Sequence, residues 1–459
     1  MRSKLGYSLS AFLVTILAAC GGSGGGGSTA TPTPPPVPAN PQTTNTTTSA
    51  YGVLGTATTR VAFVPSPGGV TPFLLENIGT RVVSWGNAIA LTGIPPTVPL
   101  SFPVSACTVD SNNAKAVCVG FTSSRVAVLD LAKFADSLQI SDVGVQEFDS
   151  GAGSVPIKFS GATCIICGIA ADVGKQRFVI GGAGGYRVFN YGATTASAVY
   201  DIPVGENFAF LPQTTASSYI VAPEYTPNGG NRKLRVVDVD NRRVYVWTRN
   251  TDSVANADLG AAGSSFRTSE VDAASIDGKT KMIVLSNEDS GEFLLVDFGQ
   301  AVFDNVTLTF SAPFSFAKPD PATAVARLTD VAISTERSIL LSHGEAKENI
   351  GVMQLPTASG TGGAGTGQLG VFDLNDPNLD RTPCGAGYVF AGKGDPHGLS
   401  LYAGIDNGQR GLVIDFNNTC AVIVDLVGLL GVPHTAADPN QIDTSSAAVR
   451  GMVKFVKLR

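Results

Sequence analysis

From about residue 51 onward, short apolar runs alternate with polar punctuation. The pattern is plainest over 387–426, GYVFAGKGDPHGLSLYAGIDNGQRGLVIDFNNTCAVIVDL. Four stretches there, 387–391, 399–404, 411–416 and 420–426, are rich in Val, Ile, Leu, Phe or Tyr, and Gly, Pro, Asn or Asp bounds each one. Apolar runs of this length between turn residues predict β-strands joined by short turns. Four such strands in succession predict one antiparallel sheet.

The unit recurs. After Asp110 comes SNNAKAVCVG-FTSS-RVAVLDL, after Asp172 VGKQRFVIGG-AGG-YRVFNY, and after Ile276 DGKTKMIVLSNEDSGEFLLVDFG. STERSILLSHGEAKENIGVMQL follows Ile333, PHGLSLYAGIDNGQRGLVIDF follows Asp395, and a looser copy, TTASSYIVAPEYTPNGGNRKLRVVDVD, follows Gln213. Each copy is a polar turn, an apolar strand, a short polar loop and a second strand. That second strand ends in Asp or Asn at Asp130, Asn190, Asp238, Asp297 and Asp415. A repeat of roughly 40 to 60 residues predicts a propeller or a solenoid, and neither leucine-rich nor helical repeat patterns are present. The expectation is an all-β chain folded as a β-propeller of seven four-stranded antiparallel blades, with six or eight as alternatives. Six copies are visible. Residues 51–100, joined to a terminal strand over 451–458, are expected to form the seventh and so leave no open sheet edge. The Gly-rich stretch 359–370 reads as a loop inserted within a blade.

The turn-plus-strand segments DGKTKMIVLSN and DPHGLSLYAG resemble those of the YVTN-type and lactonase-like propellers of bacteria. The resemblance spans most of 106–430. It implies the fold and, as one functional option, a hydrolase with a metal at the mouth of the central channel.

The first 50 residues have a different composition. Residues 1–19 carry Arg2 and Lys4, an apolar run and then Leu17-Ala18-Ala19-Cys20, the form of a secretory signal too short to span a bilayer. The last four residues resemble a bacterial lipobox, which implies cleavage before Cys20, its lipidation and, with Gly21 rather than Asp following, sorting to the outer membrane. Residues 20–50 are Gly/Ser-rich and then Pro/Thr/Asn-rich, a composition that buries no core and predicts a flexible spacer. The propeller domain is expected over 51–459. Loss of residues 1–19 moves the formal charge from −6 to about −8. That balance argues against nucleic acid as a partner and leaves membrane attachment to the lipid on Cys20.

Cys20 apart, six cysteines remain, an even number that suggests disulfides in an exported protein. Cys107 and Cys118 flank a hairpin turn and are expected to face each other. Cys384 and Cys420 fall in or beside the 387–426 unit, where a bond between them would staple it. Cys164-Ile-Ile-Cys167 lacks the following histidine of haem attachment, a thioredoxin-like context and a second pair of zinc ligands, and reads as a local disulfide or two buried thiols.

No cofactor motif survives inspection. A GxSxG match over 21–25 lies in the spacer, and a GxGxxG match over 365–370 opens no helix. Of the three histidines, His397 suits a hairpin turn, His434 follows Val-Pro without regular pattern, and His343 sits near Glu345 and Glu348 in an expected loop. Loops joining second to third strands should gather on one face of a propeller. Those expected loops, 121–124, 182–185, 223–231, 287–291, 343–349 and 406–409, carry Glu224, Glu288, Asp289, His343, Glu345, Glu348 and Asp406. That face is the expected binding surface for a protein, glycan or small molecule.

Overall fold

The structure is a computed structural model that describes most of 53–458. The longer stretches outside the described residues are 1–52, 84–88, 91–96, 157–162, 192–199, 204–208, 226–232, 249–270, 277–281, 288–292, 318–327, 356–368 and 391–399, with shorter ones between. The chain divides into two units, Met1–Ala39 and Asn40–Arg459, and every described residue belongs to the second.

Seven sheets of four or more strands follow one another along the described chain. The first is built on the hairpin Thr59–Ser66 and Gly69–Asn77, with Val53–Gly55 on one side and short strands on the other. The second is a four-stranded meander, Ala106–Asp110, Lys115–Val119, Arg125–Asp130 and Gly144–Asp149. The third runs Gly168–Asp172, Arg177–Gly182, Gly185–Asn190 and Tyr200–Pro203. The fourth holds Tyr219–Tyr225, Lys233–Asp238 and Arg243–Thr248, and it borrows the hairpin Ala301–Asp304 and Thr307–Phe310 from a later part of the chain. The fifth is Val271–Ile276, Met282–Asn287, Phe293–Asp297 and Ser315–Ala317. The sixth is Leu328–Ser334, Ile339–Gly344, Asn349–Gln354 and Gly370–Asp373. The seventh is Ser400–Ile405, Arg410–Ile414, Cys420–Asp425 and Val453–Lys457.

The sheets pack in cyclic order, as the blades of a propeller do. Val61, Phe63 and Val70 of the first meet Cys107, Val109 and Ala127 of the second. Val117 and Val128 of the second meet Phe178 and Ile180 of the third, and Ala170 and Val179 of the third meet Val237 of the fourth. Tyr219–Tyr225 lies against Val271–Ile276 of the fifth. Val284 and Leu295 of the fifth meet Val331 and Leu340 of the sixth, and Leu341 and Val352 of the sixth meet Val413 and Val422 of the seventh. Ala62, Val64 and Phe73 of the first then pack on Tyr402, Leu412 and Ile423 of the seventh. No described strand of the last sheet pairs with one of the first, so side-chain burial is what joins them. Strands of this kind are buried on both faces, which is why their sequences run apolar without a strict alternation.

Two strand expectations are corrected. Residues 387–390 lie outside every sheet, although their composition is strand-like. The terminal strand Val453–Lys457 does not complete the first sheet; it pairs antiparallel with Cys420–Asp425, Cys420 opposite Lys457 and Val424 opposite Val453. The second correction follows from the first. With 387–390 unavailable the last sheet has three strands of its own, and the chain end supplies the fourth. The insertion 359–370 falls largely outside the described residues, between two adjacent strands of the sixth sheet.

Candidate functional site

An antiparallel meander sends alternate connections to opposite ends of its strands. Turns between first and second strands therefore share one rim. Loops between second and third strands share the other, together with the connections from one sheet to the next.

The first of these rims is stitched by its turns. Asp110 accepts from the Asn113 N–H at 3.1 Å and the Asn113 Nδ2 at 2.8 Å, and Asp238 binds Asn241 in the same way at 3.0 and 2.7 Å. Tyr191 of the third sheet donates to Asp110 of the second at 2.9 Å. Burial pushes the Asp110 carboxyl up, and burial beside Asp110 pushes the Tyr191 hydroxyl up as well. Arg177 joins Asp172 of its own sheet and Asp240 of the fourth, each at 2.6 Å. Ser334 and Arg337 of the sixth sheet donate to the Gly408 and Asn407 carbonyls of the seventh at 3.0 and 3.2 Å.

Asp406 belongs to this rim. It opens the turn Asp406-Asn407-Gly408, whose φ angles of 53°, 50° and 75° are all left-handed, and its carboxylate lies 3.8 Å from Arg410. The expected grouping of Asp406 with the other loop acids is corrected accordingly. That grouping counted 387–391 as the first strand, and its loss turns a second-to-third loop into a first-to-second turn.

On the opposite rim lies the stretch between the second and third sheets. Asp149 accepts from Ser124 Oγ at 2.8 Å and from the Gly151 N–H at 2.7 Å, and both hold its carboxyl below the usual range. In the same stretch Val155–Pro156 pairs antiparallel with Thr163–Cys164. Its following residue, Ile165, donates to the Phe121 carbonyl at 2.6 Å, and Gly182 approaches the Ile165 carbonyl too closely for a side chain.

Among the described residues, the richest cluster on this rim lies at the seam of the sixth and seventh sheets. His343 is not in a loop, as the sequence suggested. It ends the strand Ile339–Gly344, is 1% exposed, and its Nε2 meets Glu348 Oε2 at 3.0 Å. The pair closes the two ends of the 344–348 loop, with the Phe390 ring 6.1 Å from the imidazole. After the last strand of the sixth sheet the chain makes a short helical turn, Thr382–Cys384, and then runs 385–390 along the seam. Cys384 is disulfide-bonded to Cys420 of the seventh sheet. Tyr388 Oη donates to Asp415 Oδ2 at 2.8 Å, and Asp415 also accepts from the Thr419 N–H, Thr419 Oγ1 and the Cys420 N–H. Burial, the Asp415 contact and the nearby Glu348 charge push the Tyr388 hydroxyl up. Asn375 holds Phe390 through both backbone groups, receiving its N–H at 2.8 Å and donating to its carbonyl at 2.9 Å. Between these pins Val389 is 63% exposed.

The sequence singled out His343 and Glu348 as loop residues and Asp415 as a strand end, but missed Asn375, Tyr388 and Val389. The strand-like composition of 387–391 hid them. Glu224 is in the strand Tyr219–Tyr225, opposite Phe210, rather than in a loop. Cys164 is in a short strand opposite Val155. Cys107 and Cys118 are register partners, Cα atoms 4.1 Å apart, and disulfide-bonded. Cys20, Cys167, Glu288, Asp289 and Glu345 lie outside the described residues. Among the described residues no three His, Cys, Asp or Glu side chains converge in a metal-ligating group. No helix among them is long and apolar enough to cross a membrane.

No family model matches the chain, and no curated protein matches it. Among solved structures it is similar to the β-propeller domain of Cps50 (Swd1) from Myceliophteria thermophila, at 9% identity and a TM-score of 0.42, over 71% of this chain and 82% of that one. The strand order and cyclic packing described above are what define the fold.

Proposed function

We propose that this chain is an exported, lipid-anchored binding module. Its propeller holds a protein or glycan partner on the rim of second-to-third-strand loops, and Cys20 carries the anchor to the outer membrane. The observation that supports this reading is the seam loop. A disulfide, a tyrosine–aspartate bond and a two-point asparagine clasp hold 385–390 in place while Val389 faces solvent. A loop fixed by a rigid scaffold and left apolar at its tip is a recognition feature, because it binds with little ordering cost. His343 serves this architecture as a buried fastener of the neighbouring loop.

The test uses photo-cross-linking residues placed in the exported, membrane-attached chain, one at Ser123 on this rim and one at Asn112 on the other. The reading expects a discrete adduct from the first position and none from the second. Equal adducts, or none at either position, would overturn it. The anchor is tested separately with Cys20→Ala, which should move the chain from the membrane fraction to the unbound one.

A further inference from the structure

We propose that a cavity between the sixth sheet and an insertion of the seventh binds one small, uncharged ring compound that carries an N–H or O–H donor. The site lies on the rim of first-to-second turns and is independent of the loop rim.

The seventh sheet inserts residues 426–452 between Cys420–Asp425 and its last strand, Val453–Lys457. The insertion crosses to the outer strand of the sixth sheet. There the Val371 N–H donates to the Asn440 carbonyl at 2.7 Å, and the Ile442 N–H donates to the Val371 carbonyl at 2.8 Å. Gly370 permits the approach, since a Cβ there would stand 2.7 Å from Ile442 Cδ1. Between the two elements is a half-open cavity of about 340 Å³. Val352, Gln354 and Gly370 line it from the sixth sheet, and Leu429, Val432 and His434 from the insertion. Gln354 is opposite Ile339, beside a first-to-second turn, which places the cavity on that rim.

Backbone carbonyls hold both polar side chains of the cavity. Gln354 Nε2 donates to the Arg337 and Ser338 carbonyls at 3.0 and 2.9 Å, which fixes the amide and leaves Oε1 as the atom that accepts from a ligand. His434 Nδ1 donates to the Pro439 carbonyl, which fixes the ring. The side chains of Val352, Leu429 and Val432 are aliphatic, and none of the described lining residues is Asp, Glu, Lys or Arg. A charged ligand would lose hydration here without gaining a counter-charge. A wholly apolar one would cover Gln354 Oε1 and leave it without a donor. An uncharged ring with one donor avoids both costs. The volume is near the lower limit for ligand pockets, roughly 300 Å³, which suits one or two rings rather than a peptide.

The probes are indole and, with its donor capped, 1-methylindole, titrated against the full chain by ligand-observed NMR. The variants are Gln354→Met, which removes the acceptor at similar length, and Val432→Trp, which fills the cavity from a half-buried position. Unfolding midpoints establish that each variant folds. Indole should bind wild type saturably, and 1-methylindole about fivefold to tenfold more weakly, the value of one hydrogen bond. Gln354→Met should weaken indole by the same factor and leave 1-methylindole unchanged, while Val432→Trp should abolish both. Indole that does not saturate wild type, or that binds Val432→Trp equally well, would overturn the proposal. So would a Gln354→Met variant that weakens both probes alike. Should Gln354→Met fail to fold, Val432→Trp and the comparison of the two probes on wild type decide the question.

Discussion

Removing the Cys384–Cys420 disulfide, as Cys384→Ala with Cys420→Ala, should cost the fold about 4 kcal/mol. The bridge spans 36 residues of sequence. A cross-link of that span restricts the unfolded chain by roughly 13 cal/mol/K, or about 3.8 kcal/mol at 25 °C. Cys420 is fully buried, so truncating it adds a small packing loss. The bridge also fixes where 385–390 lies on the seam, and its removal should free that loop first. Urea unfolding of the oxidised wild type and the double variant measures the global term, and hydrogen exchange at Val389 and Phe390 measures the local one. The expected outcome is a large midpoint shift together with faster exchange at Phe390, whose N–H is held by Asn375. A loss under about 1 kcal/mol with unchanged exchange at Phe390 would refute the reasoning, because neither chain entropy nor loop placement would then depend on the bond.

Four further outcomes follow from the structure. Gly182→Ala should destabilise by about 1 to 3 kcal/mol, since its Cβ would stand 2.7 Å from the Ile165 carbonyl, and thermal unfolding reads it directly. Arg177→Met should cost about 3 kcal/mol by leaving Asp172, whose side chain is only 2% exposed, without its counter-charge. Asp240→Asn, at the exposed end of the same network, should cost under about 1 kcal/mol, and a larger loss there than at Arg177 would invert the argument. Asp110 holds its proton more tightly when folded than its ordinary value of 3.8 allows, so its contribution to stability falls as pH rises through that window. Asp110→Asn should therefore remove that component, so that the variant gains stability relative to wild type as pH rises above 3.8, and a relative stability that falls with pH would contradict the burial effect.

The sheets were legible because most hairpins are local. Lys115–Val119 and Arg125–Asp130, or Arg177–Gly182 and Gly185–Asn190, show two apolar runs and a short turn in continuous sequence. Pairings between distant segments left no such trace. The strand Val453–Lys457 completes a sheet that begins at Ser400, and Thr307–Phe310 pairs with Arg243–Thr248 across four intervening described strands. The segment 387–390 was misread for a specific reason. Its side chains alternate, but Gly385 and Gly387 adopt φ angles of 127° and 74°, and Asn375 occupies the edge that a neighbouring strand would have used. Side-chain clasps of this kind compete with sheet pairing and carry no period that a sequence pattern can register. His343 was legible as unusual but not as buried, since its partner Glu348 becomes a neighbour only when the two strands pair.

The two rims divide their polar residues between different tasks. On the rim of first-to-second turns, Tyr191, Arg177, Ser334 and Arg337 each reach across to an adjacent sheet, so that rim holds neighbouring sheets in register. At the other rim's last seam, Asn375, Tyr388, Cys384 and Asp415 converge on one short loop instead. Stitching alone does not account for that investment. Leu341, Val352, Val413 and Val422 already bury the interface between the sixth and seventh sheets, and apolar burial of that extent does not need a fixed surface loop above it. What the clasps add is a defined position for Val389 at the surface. A buried valine would have made those clasps structural. An exposed one, held in place from both sides, is the feature on which the proposed binding role rests.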